Sequence, residues 1–289
     1  MKTLLSLIFF TVAVSAQQDL KAIQDDYSNL MKTTTYGKDD KAGKYCDVRG
    51  FKMYYEVYGN GEPLLLIHGN GGSINNFVKQ IPVFAKNYKV IIADSRSQGK
   101  SIETKDSLSY EMIADDYAAL LDKIGIPSAN VIGWSDGGIE GLLLAIRHPE
   151  KVKKLMVTGA NLEPDTTAVE TDVHDWAEGI FAQLKDKKDK TAEEKHQYKL
   201  FRLLVEQPHI PIADVKKIKC PTLIVGGDHD ILKPSHTLTI FQNIENAYLW
   251  ILPNSGHSTL VVYSDEFNKK ANDFFKTPYR KIEMGGRFF

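Results

Sequence analysis

The chain has 289 residues, of which 43% are hydrophobic and 25% charged, a composition typical of globular proteins. This length is sufficient for one large α/β domain. Lys and Arg number 36 and Asp and Glu number 37, so the formal net charge is −1. A chain so near neutrality has no overall field that attracts nucleic acid or an anionic membrane, and we predict neither as a partner.

The amino terminus has the pattern of a secretory signal peptide. Lys2 precedes an apolar stretch over residues 4–14, and Val14-Ser15-Ala16 provides a cleavage site before polar residues. The stretch is shorter than the roughly 20 residues that a membrane-spanning helix needs. We therefore expect cleavage after Ala16, a secreted or periplasmic protein, and no stable membrane insertion after cleavage. An uncleaved anchor or a buried strand is the alternative interpretation.

From residue 17 to residue 44 the sequence is polar, and its weak helical pattern predicts a short helix and a flexible lead-in. Next come two β-like runs, 45–48 and 53–58, which Arg49-Gly50 separates as in a hairpin. Beyond them, we predict strands at 64–67, 89–93, 130–133, 152–158, 222–225 and 248–252, and helices at 74–86, 111–124, 137–147, from 234, and at 264–275. This alternation indicates crossover units and a mostly parallel sheet of eight strands flanked by helices.

Residues 161–212 interrupt the alternation. They contain helical and charged patterns without a strand pattern, and the segment is too long for a simple connection in a compact domain. We predict a small helical cap, inserted between two core strands and closing over the site. The α/β core then comprises residues 45–160 and 213–280.

The strongest local motif is Gly133-Trp134-Ser135-Asp136-Gly137, a G-x-S-x-G between a predicted strand and a predicted helix. In that context Ser135 occupies a strained turn that exposes its hydroxyl, and the two glycines avoid side chains that would clash there. The start of the following helix also places N–H groups near developing negative charge. We predict Ser135 as a nucleophile.

A serine hydroxyl needs a base, and the base needs a carboxylate to fix its tautomer. His257 lies in a glycine-containing loop directly after the last predicted strand, where open α/β sheets gather their sites. Asp228 and Asp230 both follow the strand at 222–225. We favour Asp230, because Asp228 is nearer the strand end and is expected to be a turn residue that bonds its own backbone.

A glycine-rich loop, His68-Gly69-Asn70-Gly71-Gly72, follows the buried strand at 64–67. We predict that the backbone N–H groups of Asn70 and Asp136 form an oxyanion hole, and that His68 has a structural role. The loop lacks the spacing of a nucleotide-binding fingerprint. After the next strand, Asp94 and Arg96 are expected to form a structural ion pair, with substrate contact as the alternative.

Together these motifs resemble the α/β-hydrolase superfamily over residues 45–277. The likeness is greatest to the biphenyl-hydrolase-like proteins, which include valacyclovir hydrolase, an amino-acid ester hydrolase. It is carried by Gly133-Trp134-Ser135-Asp136-Gly137-Gly138-Ile139, Gly159-Ala160-Asn161, Cys220-Pro221-Thr222-Leu223-Ile224-Val225 and Asp265-Glu266-Phe267-Asn268-Lys269.

In that family the residue that matches Asp136 is an acid thought to receive the α-ammonium group of the substrate. The resemblance thus implies that Asp136 binds substrate, and we expect the adjacent Trp134 to do so as well. The alternative for Asp136 is an acid favoured by the helix dipole. In the α/β-hydrolase arrangement Cys46 and Cys220 flank strands towards opposite sheet edges, which predicts two unpaired thiols. Neither has Cys or His neighbours at metal-ligand spacing, so we predict no metal and no cofactor.

We expect hydrolysis of a small-molecule carboxylic ester, which includes amino-acid esters and lactones, through an acyl-enzyme on Ser135. The same triad also serves carbon–carbon hydrolases and perhydrolases. A non-catalytic protein that binds a ligand beneath the cap is a third interpretation, although such proteins tend to lose a triad member or the elbow glycines, and this sequence keeps both.

Overall fold

The computed structural model describes residues 6–103 and 105–288, and side-chain burial from residue 20 onwards. Residues 1–5, which belong to the predicted signal peptide, lie outside the described residues, and cleavage after Ala16 stays a prediction. The strands of the described part are β1 Gly43–Val48, β2 Phe51–Tyr58, β3 Glu62–Ile67, β4 Tyr88–Ala93, β5 Ala129–Trp134, β6 Val152–Thr158, β7 Thr222–Gly227 and β8 Ala247–Leu252. The α-helices there are α1 Ser6–Thr33, α2 Ile81–Phe84, α3 Tyr110–Lys123, α4 Asp136–Arg147, α5 Thr171–Asp186, α6 Ala192–Glu206, α7 Ile212–Val215, α8 Pro234–Gln242, α9 Thr259–Val262 and α10 Ser264–Lys276, with short 3₁₀ turns at Ile74–Phe77, Pro149–Lys151 and Met284–Phe288.

All eight of these strands form one sheet in the order β1-β2-β4-β3-β5-β6-β7-β8. β2 runs antiparallel to β1 and to β4, and the remaining neighbours are parallel. The mostly parallel α/β sheet predicted from the sequence is therefore confirmed. Its parallel strands end at a common edge, which is where α/β sheets place their sites.

The central strands are buried on both faces, which explains their continuous apolar runs. Leu65 and Ile67 of β3 point into one core, which also contains side chains of α3, α4 and α8. Leu64 and Leu66 point the other way, into a core with side chains of α2 and α10. Helices thus cover both faces of the sheet, and the period-2 geometry of β3 divides its side chains between them.

A two-residue turn joins β1 to β2. Arg49 has φ 40° and Gly50 has φ 93°, the two positive values that a type I′ hairpin turn requires. The hairpin predicted at Arg49-Gly50 is confirmed.

The predicted helix over 74–86 is wrong as a continuous element. The segment instead contains the 3₁₀ turn Ile74–Phe77 and the single turn α2. Pro82 lies at the start of α2, and because proline has no N–H it cannot continue a helix from the preceding turn.

The lead-in is more ordered than the sequence predicted. α1 extends to Thr33, and the Tyr27 hydroxyl donates to the Asn76 carbonyl at 2.9 Å. Beyond the helix, the backbone N–H groups of Gly37 and Asp39 donate to the buried Glu56 carboxylate on β2, at 2.8 and 3.2 Å. A carboxylate buried in a sheet needs donors, and the chain before β1 supplies two of them.

Between β6 and β7 the chain forms α5, α6 and the short α7 and contributes no strand to the sheet. The two ends of this insertion meet, because the Ile210 N–H donates to the Leu162 carbonyl at 2.9 Å. On the other side, α6 rests on the loop after β4, where His196 Nε2 lies 2.6 Å from the Ser97 carbonyl oxygen. The predicted cap therefore has helices, a closed base and a contact with the core.

Cys46 lies on β1 at one edge of the sheet, and Cys220 lies two residues before β7, near the other edge. Both thiols are free, as predicted. None of the described helices combines the length and apolarity needed to traverse a bilayer.

Candidate active site

Ser135 occupies a sharp turn between β5 and α4. Its backbone has φ 58° and ψ −125°, and its N–H donates to the Thr158 carbonyl at the end of β6 at 2.9 Å. A non-glycine residue in such a conformation carries about 1–3 kcal/mol of strain, which the flanking strand and helix must hold in place. The turn presents the Ser135 hydroxyl at the carboxyl edge of the sheet.

The two glycines of the motif are required by contact distances. A Cβ on Gly133 would lie 2.0 Å from the Gly137 carbonyl oxygen, and one on Gly137 would lie 2.1 Å from the Ile67 carbonyl oxygen. Both distances are far inside van der Waals contact, so no side chain fits at either position. The prediction that these glycines avoid clashes around Ser135 is confirmed.

The structure brings together the three predicted side chains Ser135, His257 and Asp230. His257 Nε2 lies 2.8 Å from Ser135 Oγ, and its Nδ1 lies 2.6 Å from Asp230 Oδ1. The Asp230 side chain is 1% exposed and that of His257 17%. With the ring proton on Nδ1 donated to Asp230, Nε2 is free to accept the proton of the serine hydroxyl.

Asp228 lies outside this line of contacts. Its carboxylate accepts the backbone N–H groups of Asn254 and Ser255, at 2.9 and 3.0 Å. The prediction that Asp228 bonds its own backbone is therefore wrong. The Asp228 carboxylate bonds instead to the loop that carries His257, because the ends of β7 and β8 are adjacent in the sheet.

Gly159, at the end of β6, leaves space for the imidazole. It has φ +65°, and a Cβ there would lie 2.6 Å from His257 Cε1 and 2.9 Å from Nδ1. The ring of His257 thus packs directly on the backbone of this residue.

The predicted oxyanion loop lies against Ser135, since a Cβ on Gly69 would be 2.9 Å from Ser135 Cβ. Across residues 6–103 and 105–288, neither the Asn70 nor the Asp136 backbone N–H donates to a backbone carbonyl. Both donors are thus available for a ligand oxygen, and Asp136 begins α4, where the helix dipole adds positive potential.

The side chains of these two residues also contact each other. Asn70 Nδ2 donates to Asp136 Oδ2 at 2.8 Å and lies 3.4 Å from the Leu200 carbonyl of α6. Burial raises the pKa of Asp136 to about 6, although the hydrogen bond from Asn70 acts in the opposite direction. Asn70 therefore connects the loop after β3 to α4 and to α6.

A second buried acid lies one helical turn after Asp136. Glu140 is fully buried, and burial followed by repulsion from Asp136 raises the pKa of its carboxyl well above the ordinary value. Tyr110 lies beside both acids, and burial together with the Asp136 charge raises the pKa of its phenol. Burial and repulsion from Asp136 both favour the neutral form of the Glu140 carboxyl.

Trp134 lies beside His257, the predicted base. Its indole Nε1–H donates to the His257 carbonyl oxygen at 3.1 Å, and the two ring centroids are 6.1 Å apart. The polar atom of the residue is thus engaged within the protein, and a substrate-binding role for its ring stays a prediction.

The loops after β3 and β4 are held by buried polar contacts. The Ser95 N–H donates to His68 Nε2 at 2.9 Å, while His68 Nδ1 lies 2.8 Å from the Gly69 carbonyl, which fits the predicted structural role. The predicted Asp94–Arg96 ion pair is wrong. Arg96 forms a bidentate pair with Asp116, and Asp94 accepts two backbone N–H groups instead.

Sequence reasoning missed the side-chain contacts of Asn70, the indole bond of Trp134 and the proximity of Gly159 to His257. The first two contacts join residues 66 and 123 positions apart, and no spacing in the sequence signals them. Gly159 had a signal in the motif Gly159-Ala160-Asn161. In the described part of the chain, no group of three or more His, Cys, Asp or Glu side chains is arranged to hold a metal ion.

Comparison with known proteins agrees with this architecture. Serine hydrolase BPHL of Mus musculus is 30% identical over 260 residues, covering 84% of this chain and 89% of that protein. The 2-hydroxy-6-oxo-6-phenylhexa-2,4-dienoate hydrolase of Comamonas testosteroni is 27% identical over 284 residues, covering 85% of this chain and 99% of that protein. Among solved structures, the enol-lactonase from Burkholderia xenovorans LB400 has a TM-score of 0.67 at 21% identity, covering 81% of this chain and 100% of that chain, a likeness of fold.

The family model described as alpha/beta hydrolase fold matches residues 62–209, which include β3 to β6, Ser135 and the helices α5 and α6. The relatives from Mus musculus and Comamonas testosteroni, which match over most of their length, are both named as hydrolases. This chain belongs to the alpha/beta hydrolase fold family.

Proposed function

We propose that this protein is a serine hydrolase that cleaves a carboxylic ester through an acyl-enzyme on Ser135. The observation that carries the proposal is the continuous line of contacts from Ser135 Oγ to His257 and from His257 to Asp230, at 2.8 and 2.6 Å. A hydroxyl, an imidazole and a buried carboxylate at these distances have the geometry of a proton relay.

The proposed reaction has two halves. Ser135 Oγ attacks the carbonyl carbon while His257 Nε2 takes the hydroxyl proton, and Nε2 then returns that proton to the departing alcohol. The acyl group stays on Ser135 until His257 deprotonates a water that attacks the same carbon and restores the hydroxyl. The negative oxygen of each tetrahedral intermediate accepts the N–H groups of Asn70 and Asp136, each donor being worth about 3–4 kcal/mol.

Hydrolysis of p-nitrophenyl acetate tests the proposal. Ser135→Ala should lower kcat by about 10⁵- to 10⁶-fold. Ser28→Ala, at an exposed position of α1, is the matched control and should keep full activity. Equal rates for the wild-type protein and Ser135→Ala would contradict the proposal.

For the acyl part of the substrate we propose a group with an α-ammonium, received by Asp136. The support is the resemblance to the biphenyl-hydrolase-like proteins and the place of Asp136 in the sequence, directly after Ser135. The fully buried carboxyl has a pKa of about 6, so it is mostly ionised above that pH. Amino-acid esters compared with neutral isosteres, in the wild-type protein and in Asp136→Asn, test the assignment. An unchanged preference in Asp136→Asn would refute it.

Carbon–carbon bond hydrolysis is the second candidate. The relative from Comamonas testosteroni, whose name gives a 2-hydroxy-6-oxo-6-phenylhexa-2,4-dienoate as its substrate, matches 85% of this chain. Turnover of that dienoate with Ser135-dependent loss of its absorbance, in a protein that leaves p-nitrophenyl acetate intact, would favour this function over ester cleavage.

We propose further that residues 1–16 are removed during export. The basic start, the apolar stretch over residues 4–14 and the Val14-Ser15-Ala16 site support this proposal. The mass of the protein recovered from the culture medium or periplasm should correspond to a chain that begins at Gln17. An intact amino terminus in the cytoplasm would contradict it.

A further inference from the structure

The loop between β8 and α9 carries His257 and therefore sets the position of the proposed base. Proton transfer requires Nε2 to stay within hydrogen-bond distance of Ser135, and displacements of about 1 Å are costly. This loop contains Asn254 with φ 53°, an uncommon conformation for a non-glycine residue. Such a loop keeps its shape only through contacts from neighbouring segments.

One contact comes from the loop that carries the proposed acid. Asp228 accepts the N–H groups of Asn254 and Ser255, and the His229 N–H returns a bond to the Ser255 carbonyl at 3.0 Å. The Ser255 N–H, with the His229 side chain and the Asn254 N–H, lowers the pKa of the Asp228 carboxyl well below its ordinary value. The acceptor is thus ionised throughout the neutral range, and both of its oxygens are used.

A second contact comes from the last residue of β5, the strand that precedes the proposed nucleophile. Trp134 immediately precedes Ser135, and its indole N–H donates to the carbonyl of His257 itself. The bond fixes the backbone of the base relative to the residue next to the nucleophile. An indole nitrogen can only donate, so a phenylalanine at this position keeps an aromatic ring and loses the bond.

Each contact comes from a residue close in sequence to one of the other two members of the triad. Trp134 is one position before Ser135, and Asp228 is two positions before Asp230. The base is therefore joined through its backbone to the nucleophile segment on one side and to the acid segment on the other, independently of the triad's own hydrogen bonds.

We propose that Trp134 and Asp228 are positioning residues, which hold the His257 loop so that its imidazole remains aligned for proton transfer from Ser135. The proposal rests on the proposed function. It assigns Trp134 a role other than substrate contact. It also assigns a role to Asp228, which is not the proposed acid of the triad.

The test measures the rate at which a fluorophosphonate probe labels Ser135, followed by intact-protein mass spectrometry, because this reaction needs an activated serine and no particular substrate. The variants are Trp134→Phe and Asp228→Asn. Their matched controls are Trp250→Phe, at a half-buried position whose ring lies beside Lys270, and Asp273→Asn, at an exposed position of α10. All four are also made in a His257→Ala background, and urea unfolding checks that each variant is folded.

Each positioning variant should slow labelling about 3- to 10-fold, the effect of one or two lost hydrogen bonds, while the controls label at the wild-type rate. In the His257→Ala background the slowing should vanish, because a residue that acts through His257 has nothing left to align. Slowing that persists there, or variants that match their controls, would overturn the inference and leave the proposed function intact. A wild-type protein in which Ser135 is not labelled would overturn both.

Discussion

Gly159 provides a sharp test of how His257, the proposed base, is positioned, because the methyl group of an alanine at this position would meet the imidazole. The Cβ of an alanine would lie 2.6 Å from His257 Cε1. Carbon atoms in contact are about 3.5–4.0 Å apart, so the ring must retreat by roughly 0.9 Å. The hydrogen bond from His257 to Ser135, now 2.8 Å, would lengthen or bend by a similar amount.

A displacement of about 1 Å at a reacting group costs about 10²-fold in rate. Gly159→Ala should therefore lower kcat for p-nitrophenyl acetate by about 100-fold. The alanine also takes a left-handed backbone conformation, which costs about 1–2 kcal/mol of stability.

Gly125→Ala separates the two effects. Gly125 has φ +72° and no atom within 4 Å of its would-be Cβ, so the substitution brings the backbone strain without a clash. Both variants should lose stability in urea unfolding, and only Gly159→Ala should lose activity. Wild-type kcat in Gly159→Ala, or an equal loss of kcat in Gly125→Ala, would refute the assigned seating of His257.

Three further predictions concern acidic residues. Asp230→Asn should lower kcat about 10⁴-fold, because His257 would then adopt the wrong tautomer, whereas Asp228→Asn should lower kcat no more than about tenfold. Steady-state ester hydrolysis compares the two variants. The reverse ranking of the two losses would exchange the roles of these residues. Burial raises the pKa of Asp136 from 3.8 to about 6, so the native state holds this proton more tightly than the unfolded chain and stability is lost as the pH rises through that range. Asp136→Asn should remove about 3 kcal/mol of that fall between about pH 4 and pH 7 in urea titrations, and an unaltered profile would contradict it. Glu56→Ala should lower the free energy of unfolding by at least about 3 kcal/mol, because four donors lose their acceptor. Glu62→Ala, at a half-exposed position, serves as the control. Equal urea midpoints for the two variants would show that the contacts of Glu56 contribute little.

The sheet was predictable because strands that are buried on both faces have continuous runs of apolar residues. The run over 152–158 coincides with β6, and the apolar residues at 64–67 are all fully buried in β3. Ser135 was recognisable for a related reason, since an elbow needs a strand, two glycines and a helix in sequence order. Local geometry and local sequence coincide in these elements.

Contacts between distant segments were not predictable from one sequence. Glu56 sits in a strand pattern where a buried acid is unexpected, and nothing in the sequence shows that the chain before β1 supplies its donors. Asn70 was chosen for its backbone N–H, while its amide proved to contact Asp136 and α6. The break at Pro82 was readable, because a proline interrupts a helix wherever it falls beyond the first turn. Side-chain partners depend on the fold and emerge only once the fold is assembled.

The hydrogen bond between Ile210 and Leu162 means that the inserted helices leave the core where they entered it. Segments whose ends are adjacent can be exchanged as modules, since a replacement of different length need not move the strands on either side. We expect that grafting the corresponding segment of a related hydrolase between residues 163 and 209 would alter substrate range, while Ser135, Asp230 and His257, which lie outside those residues, keep their geometry. In this architecture, evolution is free to diversify selectivity at one site of insertion and to preserve the chemistry elsewhere.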